Sequence, residues 1–203
     1  MSNDLFSSDG YRLDVFQLYN WGVFNESIFT LDCKKESSLL TGANGSGKTT
    51  IVDAIISLLV PYQNRSYNQS SGTDKKRDRT EETYVLGAYG NKQDEDSASA
   101  KKQTLRTKDT ISILNGCFTN DSLQTTYSLL QIRYFSGDIL QHLYAITKQR
   151  LTIEQINETL AKQDMALDRN GKWKRIITDT FETTFYGDNF KLYKNTFSQL
   201  FGF

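Results

Sequence analysis

From Tyr11 onward, hydrophobic and polar positions alternate. Leu13 and Val15, then Leu18 with Tyr19, predict one strand, and Val23, Phe24, Ile28, Phe29 and Leu31 predict a second after a Trp21-Gly22 turn. Ser38-Leu39-Leu40-Thr41 reads as a short third strand that runs straight into Gly42. After Gly47 the period becomes that of a helix, with Ile51, Ile55, Leu58 and Leu59 on one face, and Pro61 stops it. Residues 62–109 differ in kind. They are polar and charged, with one apolar island at Tyr84-Val85-Leu86, and predict a surface insertion, mobile in part. Residues 1–10 read as a flexible leader.

Strand-like runs return at 110–118, 125–135 and 139–147, with Asn115-Gly116 and Ser136-Gly137-Asp138 as turn chemistry, which predicts an antiparallel meander. A helix follows, opened by a capping box of Thr152 and Gln155, with Ile153, Ile156, Leu160 and Leu167 near one face and Asn170-Gly171 as its end. Phe190, Tyr193, Phe197 and Leu200 again have helical spacing. That apolar stripe carries on to Phe203 and suggests an incomplete domain. There is no internal repeat and no heptad run long enough for a coiled coil.

A length of 203 residues fits one globular domain, here 11–203. Lys and Arg total 24 and Asp and Glu total 24, so no global field attracts nucleic acid, and any such contact needs a local patch or a partner. No stretch approaches the roughly 20 apolar residues of a membrane helix, and the opening Met-Ser-Asn-Asp lacks the basic-then-apolar pattern of a secretory signal, so a cytoplasmic location is expected. Cys33 and Cys117, far apart and with only His142 as a further soft ligand, read as ordinary thiols and argue against a zinc, iron–sulfur or disulfide framework.

The strongest chemical signal is Gly42-Ala43-Asn44-Gly45-Ser46-Gly47-Lys48-Thr49, which fits G-x-x-x-x-G-K-[ST] and stands between a predicted strand and an amphipathic helix. Glycines let successive backbone N–H groups curl around an anion, and the positive end of the following helix favours phosphate. Lys48 would reach the β- and γ-phosphates of a nucleoside triphosphate, the Thr49 hydroxyl would hold Mg²⁺, and Thr50 would add a contact to the α-phosphate. A chance match in a chain of this length has a probability of about 1% or less. The expected cofactors are ATP and Mg²⁺, held by Gly42, Asn44, Gly45, Ser46, Gly47, Lys48, Thr49 and Thr50.

Hydrolysis needs more: an acidic group that holds Mg²⁺ through water and a group that orients the attacking water. Apart from Leu31-Asp32, which precedes the phosphate loop, no apolar strand ends in Asp or Asp-Glu. Glu81-Glu82 and Asp94-Glu95 lie in the polar insertion, and Asp164, Asp168 and Asp179 lack a preceding apolar strand. Neither a Ser-Gly-Gly signature nor an Asn-Lys-x-Asp guanine reader is present.

The order Asn20-Trp21-Gly22-x-Phe24, a second strand ending in Leu31-Asp32, Leu39-Leu40-Thr41-Gly42, the phosphate loop, Ile51-Val52-Asp53-Ala54-Ile55 and Leu58-Leu59-Val60-Pro61 resembles the N-terminal half of an SMC-type ATPase head. Tyr67-Asn68, the basic stretch after it and Tyr84-Val85-Leu86-Gly87 resemble, more narrowly, the condensin-like MukB/MksB/JetC group, above all the JetC ATPases of Wadjet plasmid-defence systems. The likeness is good over 11–89 and holds only in outline beyond. It implies an α/β, ABC-type P-loop NTPase half-head with a mixed sheet, an antiparallel β subdomain and flanking helices. It further implies a split head whose C-terminal half carries the Walker B acid, the catalytic Glu and the signature loop. Two such heads would sandwich ATP, and hydrolysis would move DNA with kleisin-like and nuclease partners. This chain alone would bind nucleotide weakly and turn over essentially none.

Other candidates weigh less. Gln131 invites a water-sensing role, but alternation sets it in an ordinary two-faced strand. Lys75, Lys76, Arg77 and Arg79 could touch DNA or supply the arginine that approaches nucleotide in SMC heads, with Arg65 an equal contender, although Asp74, Asp78, Glu81 and Glu82 favour a solvated loop. Asn20 and Trp21 could border adenine or simply pack, and His142 reads as a packing or surface residue. Competing functions are a DNA-repair ATPase of the RecN or RecF kind, a nucleotide-binding interaction module that does not hydrolyse, and, fitting least well, a transporter ATPase.

Overall fold

The computed structural model describes residues 10–61, 64–65, 80–92, 101–161 and 172–202. The expectations placed on the leader, on Tyr67-Asn68, on Lys75, Lys76, Arg77 and Arg79, on Asp94-Glu95 and on Asn170-Gly171 fall outside those residues. Six strands form one sheet: β1 (Arg12–Trp21), β2 (Phe24–Asp32), β5 (Ile111–Asn120), β6 (Thr125–Ser136), β7 (Ile139–Thr147) and β8 (Thr183–Gly187), in the order β2-β1-β5-β6-β7-β8. Every pairing is antiparallel. A separate hairpin joins β3 (Ala88–Lys92) to β4 (Lys101–Thr104). Helices α1 (Lys48–Leu59), α2 (Glu81–Leu86) and α5 (Phe190–Phe201) pack on one face, and α3 (Ile153–Ala161) and α4 (Lys172–Thr180) on the other. The result is an α/β fold built on an antiparallel sheet.

Both faces are covered, so the central strands bury nearly continuous runs instead of strict alternation. Phe16, Leu18, Leu114, Leu129, Tyr144 and Ile146 face α1 and α5, while Ile113, Leu130, Ile132, Leu143 and Ala145 face α3 and α4. The turn expected at Asn115-Gly116 lies instead inside β5, where Gly116 pairs with Phe16 and Leu129. Its value there is closeness: a Cβ on Gly116 would stand 2.6 Å from Leu58 Cδ2, so the glycine lets α1 press onto the sheet. The turn at Ser136-Gly137-Asp138 does join β6 to β7, with Gly137 at φ 61°.

Ser38-Leu39-Leu40-Thr41 does not form the expected third strand. Leu39 is 88% exposed, and a strand exists only where a neighbour takes its backbone N–H and C=O groups. α4 and β8 were not legible in the sequence. α4 is short and presents only Trp173, Ile176 and Ile177 to the core. The capping box that opens α3 is present: Thr152 N donates to Gln155 Oε1 at 2.9 Å and Gln155 N to Thr152 Oγ1 at 3.3 Å. Among the described residues no helix is long and apolar enough to cross a membrane.

Within 62–109, the described residues include packed structure. α2 starts at a Thr80–Thr83 capping box and buries Glu81, Tyr84 and Val85, and Arg106 is buried after β4. Composition had hidden this, because the buried groups are largely polar and each is matched by a partner.

Candidate phosphate-binding site

The loop from Gly42 leads directly into α1. Gly42, Gly45 and Gly47 all have positive φ, 152°, 80° and 90°, a backbone that L side chains rarely adopt. Gly47 is the N-cap of α1 and makes no side-chain cap, and the first turn carries no acidic residue. The first N–H groups of a helix have no intrahelical acceptor, so this end presents donors and the positive end of the dipole together. Residues 42–46 are exposed, and Lys48, Thr49 and Thr50 are half-buried. This donor set fits a phosphate: backbone amides, one ammonium and the hydroxyls of Ser46, Thr49 and Thr50, with no competing carboxylate in the turn.

Lys48 Nζ donates to Gly42 O and Ala43 O, both at 2.6 Å, and to Ser46 Oγ at 3.4 Å. The ammonium therefore lies over the mouth of the loop, solvated by the loop's own oxygens. A phosphate oxygen would have to compete with these acceptors, and a full negative charge wins against neutral carbonyls.

The helix behind the loop is fixed at both ends. At its N-terminus, Gly47 rests on the β1–β2 turn: a Cβ there would stand 3.0 Å from Phe24 Cζ and 3.3 Å from Val23 Cγ2. At its C-terminus the orphan carbonyls are taken by side chains. Arg65 Nη2 donates to Ser57 O at 2.9 Å and Arg65 Nε to Val60 O at 2.6 Å, while Gln131 Nε2 and Tyr193 OH donate to Leu58 O at 3.0 and 3.3 Å. In mid-helix, Asp53 accepts from the Tyr84 hydroxyl.

These contacts decide several sequence candidates. Gln131 spends its amide on Leu58 O and its carbonyl on Arg133, both inside the core, so it is a helix-terminus anchor and no water sensor. Arg65 sits at the far end of α1, a 12-residue helix and so roughly 18 Å long, which removes it as an arginine for the loop. Asn20 bonds Thr110 Oγ1, Ile111 O and Glu26 N, and Trp21, fully buried, stacks on Tyr84 at 4.9 Å. Both are packing residues.

A charge cluster that the sequence did not reveal links these parts. Glu81 Oε1 accepts from Arg65 Nη1 at 2.9 Å and Arg133 Nε at 2.5 Å, and Glu81 Oε2 meets His142 Nε2 at 2.9 Å. Burial pushes the Glu81 carboxyl up, but Arg133, the His142 hydrogen bond and Arg65 together hold it well below its usual 4.5. His142, which reads in the sequence as a packing or surface residue, is thus a hydrogen-bond partner of Glu81. Arg133 also lies 5.0 Å from the Trp21 ring, a cation–π contact. Nothing in the spacing of Glu81, Arg133 and His142, 61 residues from end to end, could have shown the cluster, because the fold alone brings them together.

A 730 Å³ cavity lies beside the loop, between the 37–40 segment, the edge of β1–β2 and Ile51, Val52 and Ile55 of α1. Its walls mix aliphatic side chains with Arg12, Lys35, Glu36, Ser37 and Ser38, and it does not include the phosphate loop, which is open surface.

Over residues 13–74, which span β1, β2, the loop and α1, the sequence matches a family model described as the P-loop containing region of AAA domain. No curated protein matches the chain. Among solved structures, one described as "Structural biochemistry of ATP-driven dimerization and DNA stimulated activation of SMC ATPases" is similar at 15% identity, over 82% of this chain and 90% of its own, with a TM-score of 0.42. The chain is an α/β protein whose antiparallel sheet carries a module similar to the P-loop region of AAA domains.

Proposed function

We propose that the chain is the ATP-binding N-terminal part of an SMC-like, condensin-type ATPase head that acts on DNA, in a Wadjet-type plasmid-defence system. The observation that carries the nucleotide reading is the Gly42–Thr49 loop, with positive φ at three glycines, at an uncapped helix N-terminus. In this reading the amides of 44–49 and Lys48 hold the β- and γ-phosphates, Thr49 is the Mg²⁺ ligand and Thr50 contacts the α-phosphate. Mg²⁺ held there by the Thr49 hydroxyl would supply positive charge to offset that of the phosphates.

The narrower assignment is supported by the order of segments around the loop and by the basic stretch after α1. In it, residues 11–203 are the N-terminal part of the head, with 62–109 as an insertion. The Walker B acid, signature loop and catalytic Glu come from a C-terminal half. Two heads engage each other, kleisin-like and nuclease subunits complete the assembly, and the complex works in the cytoplasm. Titration of the chain with labelled ATP and Mg²⁺, against Lys48→Ala, is the test: equal binding by the two proteins removes the nucleotide reading. Adding the C-terminal half should then restore turnover.

One observation favours a second reading. The 203 residues hold no apolar strand ending in Asp-Glu, which suits an interaction module that binds ATP without hydrolysing it. The downstream reading frame separates the two, since heptads followed by Ser-Gly-Gly and Asp-Glu segments belong to the motor alone.

A further inference from the structure

We propose that Arg106 is a positioning residue for nucleotide binding, which locks the β1–β2 turn that shapes the phosphate loop from beneath; this rests on the nucleotide reading of Gly42–Thr49. Arg106 follows β4, 58 residues past Lys48 in the sequence, and belongs to no motif. Its buried guanidinium makes five hydrogen bonds. Nε donates to Val85 O at 2.7 Å, Nη1 to Phe24 O at 3.0 Å and Asn25 Oδ1 at 3.1 Å, and Nη2 to Gly22 O at 3.0 Å and Tyr84 O at 2.9 Å. A guanidinium has five N–H donors, so all are spent. It has none left for a ligand, and its work must be done through the groups that it holds.

Those groups lie against the loop. Gly22 and Phe24, whose carbonyls Arg106 grips, bracket Val23. The turn touches Gly47 through Phe24 and Val23, and a Cβ on Gly22 would come within 2.5 Å of Thr50 Cγ2. Gly47 and Thr50 flank Lys48 and Thr49. The turn therefore sets where the ammonium, the hydroxyl and the first amides of α1 stand. On the other side, Gly22 N donates to Tyr84 O at 2.7 Å, so the same guanidinium pins the turn to α2. The socket is closely fitted: a Cβ on Gly87 would stand 2.8 Å from both Arg106 Nη2 and Gly22 O. Lysine, with three donors on a point charge, cannot serve all five acceptors.

The test uses the full chain and a fluorescent ATP analogue with Mg²⁺, with wild type, Arg106→Ala, Arg106→Lys and Lys48→Ala compared. Ile177→Ala, in the core on the opposite sheet face, serves as a control for lost stability. Hydrogen exchange is followed at 22–26 and 47–50. Arg106→Ala should raise the dissociation constant roughly tenfold or more, as expected when a binding group moves by an ångström or less, and should speed exchange in both segments. Arg106→Lys should fall between it and wild type, and Ile177→Ala should bind as wild type at a comparable loss of Tm. Wild-type affinity in Arg106→Ala, or an equal loss in Ile177→Ala, overturns the positioning role and leaves the nucleotide reading standing. Equal binding by wild type and Lys48→Ala overturns both. If Arg106→Ala does not fold, Arg106→Lys decides by the same criteria, wild-type affinity together with unchanged exchange at 47–50 counting against the proposal.

Discussion

At the scale of single residues, the loop's function depends on backbone that only glycine adopts easily. Gly47→Ala puts a Cβ at φ 90° and 3.0 Å from Phe24 Cζ. The left-handed backbone costs roughly 1–2 kcal/mol for an L residue, and the contact forces the loop off the turn. Nucleotide affinity should fall at least as far as stability does, read by titration and thermal melting together. Glu81 gives a second prediction. Its carboxyl is held well below 4.5 in the folded chain, so the unfolded chain takes up a proton that the folded one refuses. The stabilisation is complete above about pH 4.5 and is lost as pH falls through the folded-state value. An acid titration followed by circular dichroism should show this, and Glu81→Gln should flatten that part of the curve. Glu81→Ala strands Arg65 and Arg133 at buried positions and should cost about 3–5 kcal/mol in denaturant unfolding. A loss under about 1 kcal/mol would mean that the cluster does not brace the end of α1.

At the scale of elements, α1 acts as a strut between the loop and the Arg65–Glu81–Arg133 cluster. Its period is readable because Ile51, Ile55, Leu58 and Leu59 recur at helical spacing, while in the fold the fully buried stripe is Ile51, Ala54 and Leu58, with Ile55 and Leu59 half-buried. Its seating is not readable, since it depends on Gly116, and Asn115-Gly116 has the composition of a turn although it lies inside β5. Gly116→Ala would drive a methyl into Leu58 Cδ2 and should destabilise the chain by roughly 1–3 kcal/mol, measured by urea unfolding, with the helix content of the folded state retained. The 38–41 segment failed as a strand for the opposite reason: its hydrophobic pattern was right, but a ladder partner is a property of the tertiary structure. α2 was obscured because Tyr84-Val85-Leu86 is a short island whose burial depends on Trp21 stacking and on the Tyr84–Asp53 hydrogen bond.

At the scale of the whole molecule, a groove lined by Leu13, Leu31, Leu39, Leu40, Val52 and Ile55 together with Arg12, Lys35 and Glu36 lies next to the loop, on the side where the sequence predicts a third strand. In the proposed split head, the chain by itself should bind ATP without measurable turnover. Mixing with the C-terminal half should restore hydrolysis, followed by phosphate release, and Lys48→Ala should abolish it.

The sequence alone determined the phosphate loop, the helix behind it, the β6–β7 turn and the meander, because each rests on contacts between near neighbours: glycine torsions, a 3.6-residue period, a turn of fixed chemistry. Only the tertiary structure decided which polar groups are buried together. Arg106 on five acceptors, Glu81 between two arginines and a histidine, and Gln131 on the end of α1 are pairs drawn from distant segments. In the sequence such residues cannot be told from solvated ones, and a buried charge becomes tolerable only once the fold supplies its partner.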